Sequence, residues 1–497
     1  MTFPSPSHLT RLYGFGRAAN SPAYLYRPTH AEQIAELLAL AAERGLRVAL
    51  RGAGRSYGDA ALNAGQVVLD LQRMNRVLGW NPNTGVIRVE PGVTIEQLWR
   101  YTLEDGWWPP VVPGTMAPTL GGCLAMNIHG KNNYRVGPIG EHVLEFTALL
   151  PTGQEITCSP TENVELFYAL IGGLGVLGVF TSITLQMKRI YSGELAVQAW
   201  AAPNLGAMLA DIESLKADTD YLVGWVDGTA GGRGLGRGQL HRADYLAPGA
   251  DPHPAYTLRP GNQDLPDTLF GVFPKASLWR LMRLLLHRPG MTLVNTAKYL
   301  AARTLSHHHH YPQPLVAFNF LLDYIPRWQH AYSNGLIQYQ SFIPREAAPD
   351  TFGAMLTLSQ RRGLPTYLGV LKRHRPDNFL LTHAVDGYSL ALDFPVPGRR
   401  PELQKLANDF NRMVLEAGGR FYFAKDSTLN PHAVARFLGE ETLARLRALK
   451  ERCDPQGVLQ TELYRRLFVP IFEAAPTSAS TPDSLPLFAQ TSSTHTP

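Results

Sequence analysis

The chain has 497 residues, which is too long for a single hydrophobic core and predicts two or three domains. With 45% hydrophobic and 18% charged residues, its composition is that of a globular enzyme. The net charge of +5 suits a protein that meets anions such as phosphates or phospholipids. Lys and Arg are scattered rather than clustered between aromatic residues, which argues against a nucleic-acid-binding protein.

The cysteines and the N-terminus indicate a cytoplasmic protein. Cys123, Cys158 and Cys453 form no CxxC pair, so we expect neither a disulfide framework nor a metal site. The N-terminal segment lacks the apolar core of a secretory signal. Residues 166–187 carry no charge, but four glycines and a period-two alternation predict a short helix, a turn and a buried strand instead of a transmembrane helix.

The first part of the chain alternates helices and strands around a glycine-rich loop. The predicted elements are a helix from Thr29, strands at 47–50, 67–71 and 86–90, and a helix from Thr94. The loop at 51–59, RGAGRSYGD, combines glycines, arginines and hydroxyl groups, which suits phosphate binding. A Rossmann site needs GxGxxG between a strand and a helix, whereas here the glycine spacing differs and a strand follows. We therefore do not expect a nicotinamide cofactor.

A second glycine-rich loop lies at 113–132, PGTMAPTLGGCLAMNIHGKN. Its small residues allow backbone N–H groups to approach a ligand closely. Tight packing between a helix and a loop explains this segment equally well by itself. Together with the loop at 51–59, it favours a large phosphate-containing ligand.

The chain is richer in strands after about residue 190. Strands are predicted at 318–325, 335–344, 366–374 and 388–397, and helices at 346–362 and 400–417. This order predicts an α+β fold. Residues 471–497, rich in Pro, Ser and Thr, are predicted to be a disordered tail.

Five motifs resemble those of one enzyme family: RGAGRSYGDAALN, PGTMAPTLGGCLAMNIHGKN, LIQYQSFIP, LALDFP and GGRFYFAKDS. Over residues 8–470 the chain is similar to FAD-linked oxidases of the vanillyl-alcohol-oxidase fold, above all to the decaprenylphosphoryl-β-D-ribose oxidase family. The resemblance implies a PCMH-type FAD-binding domain of two α+β subdomains with an inserted α+β substrate (cap) domain. On this pattern residues 1–190 form the FAD-binding domain, residues 191–410 form the cap domain, and residues 411–470 return to the FAD domain.

The resemblance also implies the residues that bind FAD. They are Gly52, Ala53, Gly54, Arg55, Ser56 and Tyr57 on the first loop, Gly114, Thr119, Gly121, Gly122, Asn127 and His129 on the second, and Val179, Phe180 and Tyr422 elsewhere. In relatives with covalently bound FAD, a histidine stands at the position of Arg55. We therefore expect FAD to be bound non-covalently.

Oxidation of an alcohol by FAD requires a base for the hydroxyl proton and a positive charge near the reduced cofactor. The resemblance implies that Lys425 is this cation or binds the substrate phosphate. His129 either accepts the proton, orients the substrate or is structural, and Tyr57 is a third catalytic candidate. The residues implied to face the substrate are Lys131, Gln338, Gln340, Lys372 and Lys425. For the two glutamines, polar positions on an alternating strand are nearly as good an explanation.

Two further segments each allow two interpretations. Residues 278–288 predict a basic amphipathic helix, which either contacts an anionic membrane or packs on the core of its own domain. The four histidines at 307–310 are interpreted as a surface loop and not as a metal site, because no carboxylate accompanies them.

The expected function is FAD-dependent oxidation of a secondary sugar hydroxyl, namely the 2′-hydroxyl of a polyprenylphosphoryl-β-D-ribose. The resemblance implies that this is the first step of an epimerisation to the arabinose form, completed by a separate short-chain reductase. The family commonly has Asn, Cys and Tyr where Ser389, Ala391 and Asn319 stand here. Two alternatives remain: a soluble alditol or aldonolactone oxidase, and a non-catalytic protein that binds lipid phosphates on this scaffold.

Overall fold

The computed structural model describes residues 3–269, 273–305, 307–398 and 400–474. In these ranges the strands form three main sheets of four, five and eight strands, with helices packed between and around them. The predicted mixture of α and β structure is therefore confirmed.

The four-stranded sheet supports the first glycine loop. Its elements are β1 (Leu9–Tyr13), β2 (Asn20–Tyr26), α1 (Ala31–Glu43), β3 (Val48–Arg51) and β4 (Val67–Asp70). Strands β3 and β4 are parallel neighbours, and Ile34 and Leu38 of α1 pack against Val67 of β4. The loop that begins at residue 51 leaves the sheet from the carboxyl end of β3, where ligands of parallel sheets commonly bind.

The five-stranded sheet supports the second glycine loop. Its region contains β5 (Val77–Asn81), β6 (Val86–Val89), α2 (Ile95–Thr102), β7 (Trp107–Trp108), α3 (Leu120–Ala125), α4 (Asn133–Val136), β8 (Val143–Leu149), β9 (Glu155–Cys158), α5 (Val164–Leu170), β10 (Val179–Gln186) and β11 (Lys188–Arg189). Helix α2 begins with the capping box predicted at Thr94 and Gln97. The uncharged stretch at 166–187 is a helix, a turn and a buried strand, as predicted. No helix of the described ranges is long and apolar enough to cross a bilayer.

The eight-stranded sheet dominates the second half of the chain. The elements of this half up to the sheet's last strand are β12 (Glu194–Ala202), α6 (Leu205–Leu215), β13 (Tyr221–Val226), β14 (Gly238–Tyr245), α7 (Pro254–Thr257), β15 (Thr268–Leu269), β16 (Phe273–Pro274), α8 (Leu278–Leu285), α9 (Arg288–Thr304), β17 (His309–Pro314), α10 (Leu315–Asn319), β18 (Leu336–Pro344), α11 (Ala348–Arg361), β19 (Leu368–His374), β20 (Gly387–Pro395), α12 (Arg400–Glu416) and β21 (Arg420–Phe421). As far as the chain is described, the strand order is β17-β12-β14-β13-β19-β20-β18-β21.

Two predictions for this half were wrong. The strand predicted at 318–325 is the end of helix α10 followed by a 3-10 turn at 321–323. Every residue of α10 is buried, and a short apolar run fits a buried helix and a buried strand equally well. In addition, His309 and His310 open the edge strand β17 and are not part of a loop.

The C-terminal helices return to the first sheet. They are α13 (Pro431–Leu438), α14 (Glu440–Cys453), α15 (Glu462–Leu467) and α16 (Val469–Ala474). Leu459 bridges Val48 of β3. Buried Lys450 donates to the carboxylate of Asp454 at 2.5 Å and to the carbonyl of Val176 at 2.7 Å. Of the predicted tail, residues 471–474 belong to α16 and residues 475–497 lie outside the described residues.

Candidate active site

One face of the eight-stranded sheet forms a wall of a cavity of about 630 Å³. Gln340 pairs with Ala391, Ala391 with Val370, and Val370 with Trp225, so these residues form a row across β18, β20, β19 and β13. Directly paired residues share a face of a sheet. The row and its neighbours on the same face therefore point into the cavity together, and Gln338 and Lys372 are among the lining residues.

The two glycine loops form the opposite wall. The predicted FAD-binding residues that line the cavity are Gly52, Ala53, Gly54, Arg55, Ser56, Tyr57, Gly114, Thr119, Gly121, Gly122, His129, Phe180 and Tyr422. A Cβ atom on Gly52 would lie 2.0 Å from Oγ1 of Thr119, so the two loops touch at this point. Gly54 has a φ of +63°, in the region that favours glycine. Glycine is therefore required at Gly52 for the contact between the loops, and at Gly54 for the turn and for the space that the Arg51 guanidinium occupies.

Two predicted FAD-binding residues do not lie on the cavity wall. The side-chain oxygen of Asn127 accepts a hydrogen bond from the backbone of Gly140 at 3.0 Å, which stabilises the end of the second loop. Val179 is fully buried in the core that α1 forms with the first sheet. Both residues support the wall from behind.

The cavity is strongly cationic. Six basic side chains line it: Arg51, Arg55, Lys131, Lys298, Lys372 and Lys425. No carboxylate lies among the described residues that line it. Nε of Arg55 is buried without a hydrogen-bond partner in the described ranges. Exposed backbone on two glycine loops, unpaired cations and this volume together fit a large phosphate-containing cofactor such as FAD.

All four cavity lysines have depressed pKa values, and burial lowers that of Lys298 to about 8. Burial lowers the pKa of Lys425 to about 7; the charge of Lys372 lowers it further and that of Asp393 opposes the shift. Burial also lowers the pKa of Lys372 to about 8 and that of Lys131 to about 7. Nζ of Lys425 lies 4.0 Å from the centre of the Tyr57 ring. Within the described part of the chain, neither Lys372 nor Lys425 has an ion-pair or hydrogen-bond partner, so a bound anion would stabilise both.

His129 is neutral and oriented by Gln340. Burial, reinforced by the charge of Lys372, holds the pKa of His129 well below its usual range. The amide nitrogen of Gln340 lies 3.1 Å from Nε2 of His129 and donates to it. The ring proton is therefore on Nδ1, which is buried without a partner among the described residues. In this state His129 can donate a hydrogen bond to a ligand but cannot accept one through Nδ1.

Comparison with known proteins identifies the family. Residues 22–159 match the family described as FAD binding domain. A decaprenylphosphoryl-β-D-ribose oxidase from Mycolicibacterium smegmatis is 30% identical over 482 residues, covering 93% of this chain and 98% of that protein. The chain belongs to this family of FAD-linked oxidases. A D-lactate dehydrogenase from Anaerostipes hadrus is 30% identical over 35% of the chain and 38% of its own length, and cytokinin dehydrogenase 7 from Oryza sativa is 36% identical over 43% of each chain.

Membership in the oxidase family establishes an FAD-dependent oxidoreductase, and the cavity departs from the family's common residues at three positions. Ala391 and Asn319 line the cavity. Ser389 lies behind the wall, where its hydroxyl contacts Nε2 of His374 at 2.8 Å and the amide of Gln340 at 3.3 Å. Ala391 and Asn319 are therefore part of the cavity surface, whereas Ser389 acts on it only through Gln340 and His374.

Sequence reasoning missed Asp393. It is 1% exposed on β20 and accepts a hydrogen bond from the amide of Gln338 at 2.6 Å. Burial raises its pKa to about 6, against the opposing effects of Gln338 and Lys425. The available signal was a carboxylate inside the otherwise apolar strand LALDFP. Asp393 pairs with Gln338 on the cavity face of the sheet, where it supplies negative charge near Lys425.

The segment after α10 closes one end of the cavity and was also missed. The backbone of Leu322 donates to the carbonyl of Gly114 at 3.2 Å. The carboxylate of Asp323 accepts hydrogen bonds from Thr115 at 2.7 Å and from the backbone of Met116 at 2.8 Å. These contacts join the second glycine loop to the segment that follows α10.

Proposed function

We propose that this oxidase removes two hydrogens from the 2′-position of a polyprenylphosphoryl-β-D-ribose and leaves a ketone. The observation that carries the proposal is the set of four lysines in a cavity that the FAD loops share with a sheet face; in the described ranges only Lys131 has a hydrogen-bond partner. Such a cavity suits a substrate that brings its own negative charge beside the sugar. Full-length similarity to a decaprenylphosphoryl-β-D-ribose oxidase supports the same substrate class.

When bound, FAD supplies the acceptor for the hydride. Lys425 and Lys131 both have a pKa of about 7, which suits proton transfer at neutral pH, and Lys425, which packs on Tyr57, is the one proposed to take the hydroxyl proton. Its amine accepts the proton at Nζ, and the resulting ammonium is stabilised by the nearby charge of Asp393. His129 donates from Nδ1 to a substrate oxygen and orients the sugar. Tyr57, whose pKa burial raises well above the usual range, stays protonated and packs against Lys425.

Lys131 provides positive charge for the phosphodiester, and Lys372 provides it beside the reacting sugar. Nζ of Lys131 also donates to the carbonyl of Phe318, which fixes its position. Gln338 and Gln340 act mainly by orienting Asp393 and His129, through the hydrogen bonds described above. A neutral alditol or aldonolactone would leave these cations without a partner, so the cavity favours the phosphorylated sugar over both.

FAD is proposed to be bound without a covalent bond. Arg55 stands at the position that carries the linking histidine in covalent relatives, and its guanidinium packs 5.3 Å from the centre of the Phe15 ring. Burial raises the pKa of Cys123, which also lines the cavity, so its thiol remains protonated and unreactive. We further propose the PCMH-type arrangement, with 1–190 binding FAD, 191–410 as the cap and 411–470 returning to the FAD domain. The bridge between Val48 and Leu459 supports that return.

Helices α8 and α9 are proposed to touch the membrane that holds the substrate, at the cytoplasmic face. Residues 273–305 contain six basic residues and no acidic residue. Met282 packs on the core near Tyr57, but Leu281 and Leu284 are 58% and 68% exposed. Each interpretation of this helix therefore describes one of its faces: the face with Met282 packs on the core, and the face with Leu281 and Leu284 is free to contact a membrane. A basic surface with exposed leucines suits the headgroup region of an anionic bilayer.

The proposed ketone product requires a second enzyme. Reduction from the opposite face of the sugar would give the arabinose epimer, and a separate short-chain reductase is proposed as the partner. The proposed oxidation itself is tested by anaerobic bleaching of the flavin absorbance. We expect bleaching by polyprenylphosphoryl-β-D-ribose and none by free alditols or aldonolactones. Bleaching by free polyols alone would overturn the substrate assignment.

A further inference from the structure

Helix α9 contributes a cation to the cavity that no sequence motif indicated. Lys298 lines the cavity, and its Nζ lies 4.2 Å from the centre of the Trp225 ring on β13. Its surface is accessible beside the cavity, while burial by the surrounding chain lowers its pKa to about 8, so the side chain is still mostly charged at neutral pH. Lys298 forms neither an ion pair nor a hydrogen bond with the part of the chain that the structure describes. Its ammonium is therefore oriented by an aromatic ring and free to bind an anion.

Two further groups converge on the same place. His241 on β14 lines the cavity, and its pKa is lowered to about 3, first by burial and then by the charges of Lys131 and Lys298. The strand register places the three groups together: His241 pairs with Val223 of β13, two residues from the Trp225 ring that contacts Lys298, and the backbone next to Val223 donates to the carbonyl of Lys131 at 3.2 Å. Two cations and a neutral ring that can donate a hydrogen bond match the oxygens of a phosphodiester, which carries one negative charge.

The turn of α9 that carries Lys298 is anchored to the sheet. Asn295 donates to the buried carboxylate of Asp227 at 3.2 Å, and Arg237 donates to the same carboxylate at 3.0 Å. Arg237 also donates to the hydroxyl of Thr296 at 2.9 Å. These hydrogen bonds hold the backbone of Lys298 in place, as expected of a residue that determines ligand specificity.

We propose that Lys298, Lys131 and His241 form the subsite for the phosphodiester of the substrate, with Lys298 as a specificity-determining residue. This assignment rests on the proposed function. Lys372 and Lys425, beside His129, remain with the reacting sugar. With the phosphodiester at this subsite, the lipid chain leaves the cavity next to α8 and α9. A neutral glycoside with the same sugar and chain would gain nothing from Lys298.

The test compares two ligands in three forms of the FAD-loaded enzyme. The ligands are farnesylphosphoryl-β-D-ribose and farnesyl β-D-riboside, which lacks the phosphate. Their dissociation constants are measured by calorimetry with the anaerobically reduced enzyme, in which oxidation of the ligand cannot occur. The variants are Lys298→Met and the matched control Arg303→Met, which removes an exposed positive charge from the same helix.

We expect Lys298→Met to weaken binding of the phosphorylated ligand about 10- to 100-fold, the usual effect of losing a charge-assisted contact. Binding of the neutral riboside should not change, and Arg303→Met should bind both ligands like the parent enzyme. The proposed subsite is wrong if Lys298→Met binds the phosphorylated ligand as tightly as the parent enzyme does. It is also wrong if the parent enzyme binds the phosphorylated ligand no more tightly than the neutral riboside. If the ligand binds with the expected preference but does not bleach the oxidised flavin, the proposed oxidation fails while the subsite stands.

Discussion

Replacing Asp393 by Asn should shift the pH dependence of the reaction. The carboxylate opposes the lowering of the Lys425 pKa, which is about 7. Asn keeps an oxygen for the hydrogen bond from Gln338 but removes the charge. Removing a nearby negative charge lowers the pKa of a lysine by about 1 unit, which corresponds to about 1.4 kcal/mol. We therefore expect the pKa of Lys425 to fall to about 6 in Asp393→Asn.

The direction of the pH shift follows from the proposed role of Lys425 as a base. Its neutral form is active, so kcat/KM rises with pH through about 7 in the parent enzyme. It falls at higher pH as Lys131, Lys298 and Lys372, whose pKa values are about 7, 8 and 8, lose their charges. In Asp393→Asn the rising limb moves to about 6, and the neutral fraction at pH 6 grows from roughly one tenth to one half.

The assay is stopped-flow measurement of anaerobic flavin reduction between pH 5 and 9 at about half-unit intervals. Asp264→Asn, a matched change at a surface carboxylate paired with Arg100, should leave both limbs in place. Lys425→Met should abolish the rising limb. A rising limb that stays at about 7 in Asp393→Asn, or one that persists in Lys425→Met, would refute the assignment of the base.

Four other outcomes are expected. Gly54→Ala should bind FAD more weakly and should also be less stable by about 1–2 kcal/mol. Gly45 has the same φ of +63° but open space around it, so Gly45→Ala should lose the same stability and bind FAD like the parent enzyme. Equal FAD affinities of the two variants in a titration would contradict this. Lys450→Met should lower the free energy of urea unfolding by about 3–5 kcal/mol because Asp454 stays buried and charged, while the exposed Lys405→Met should not. Acid precipitation should leave the yellow colour in the supernatant, and a yellow pellet would indicate a covalent flavin. Arg280→Glu/Leu284→Glu should weaken binding to anionic vesicles about tenfold or more, unlike Arg73→Glu/Leu78→Glu, and equal co-sedimentation would remove the membrane contact.

Local patterns predicted much of the fold. The strands near 335–344, 366–374 and 388–397 follow from alternating residues bounded by turns, and the start of α2 follows from its capping box. The segment 318–325 was assigned to the wrong element because an apolar run carries no period. There the choice of a helix depends on burial by parts of the chain that are distant in sequence.

The glycine loops and most of the residues carried over from the resemblance lie together in one cavity. The convergence of other residues depends on the register between distant strands, which no local pattern specifies. Asp393 faces Lys425 only because β20 lies between β18 and β19 in one register. Lys298 reaches the cavity only because Asn295, in the same helical turn, is bonded to Asp227. Such residues are found from the structure, whereas motif residues are found from the sequence.

The central claim is that the 2′-carbon of a polyprenylphosphoryl-β-D-ribose gives its hydride to the flavin. The most direct measurement is anaerobic flavin reduction with substrate deuterated at C2′ and, separately, at C3′. We expect slower reduction only for the C2′ label and a product that carries a ketone at that carbon. Reduction that is slowed by the C3′ label alone, or no reduction by the phosphorylated ribose at all, would contradict the claim.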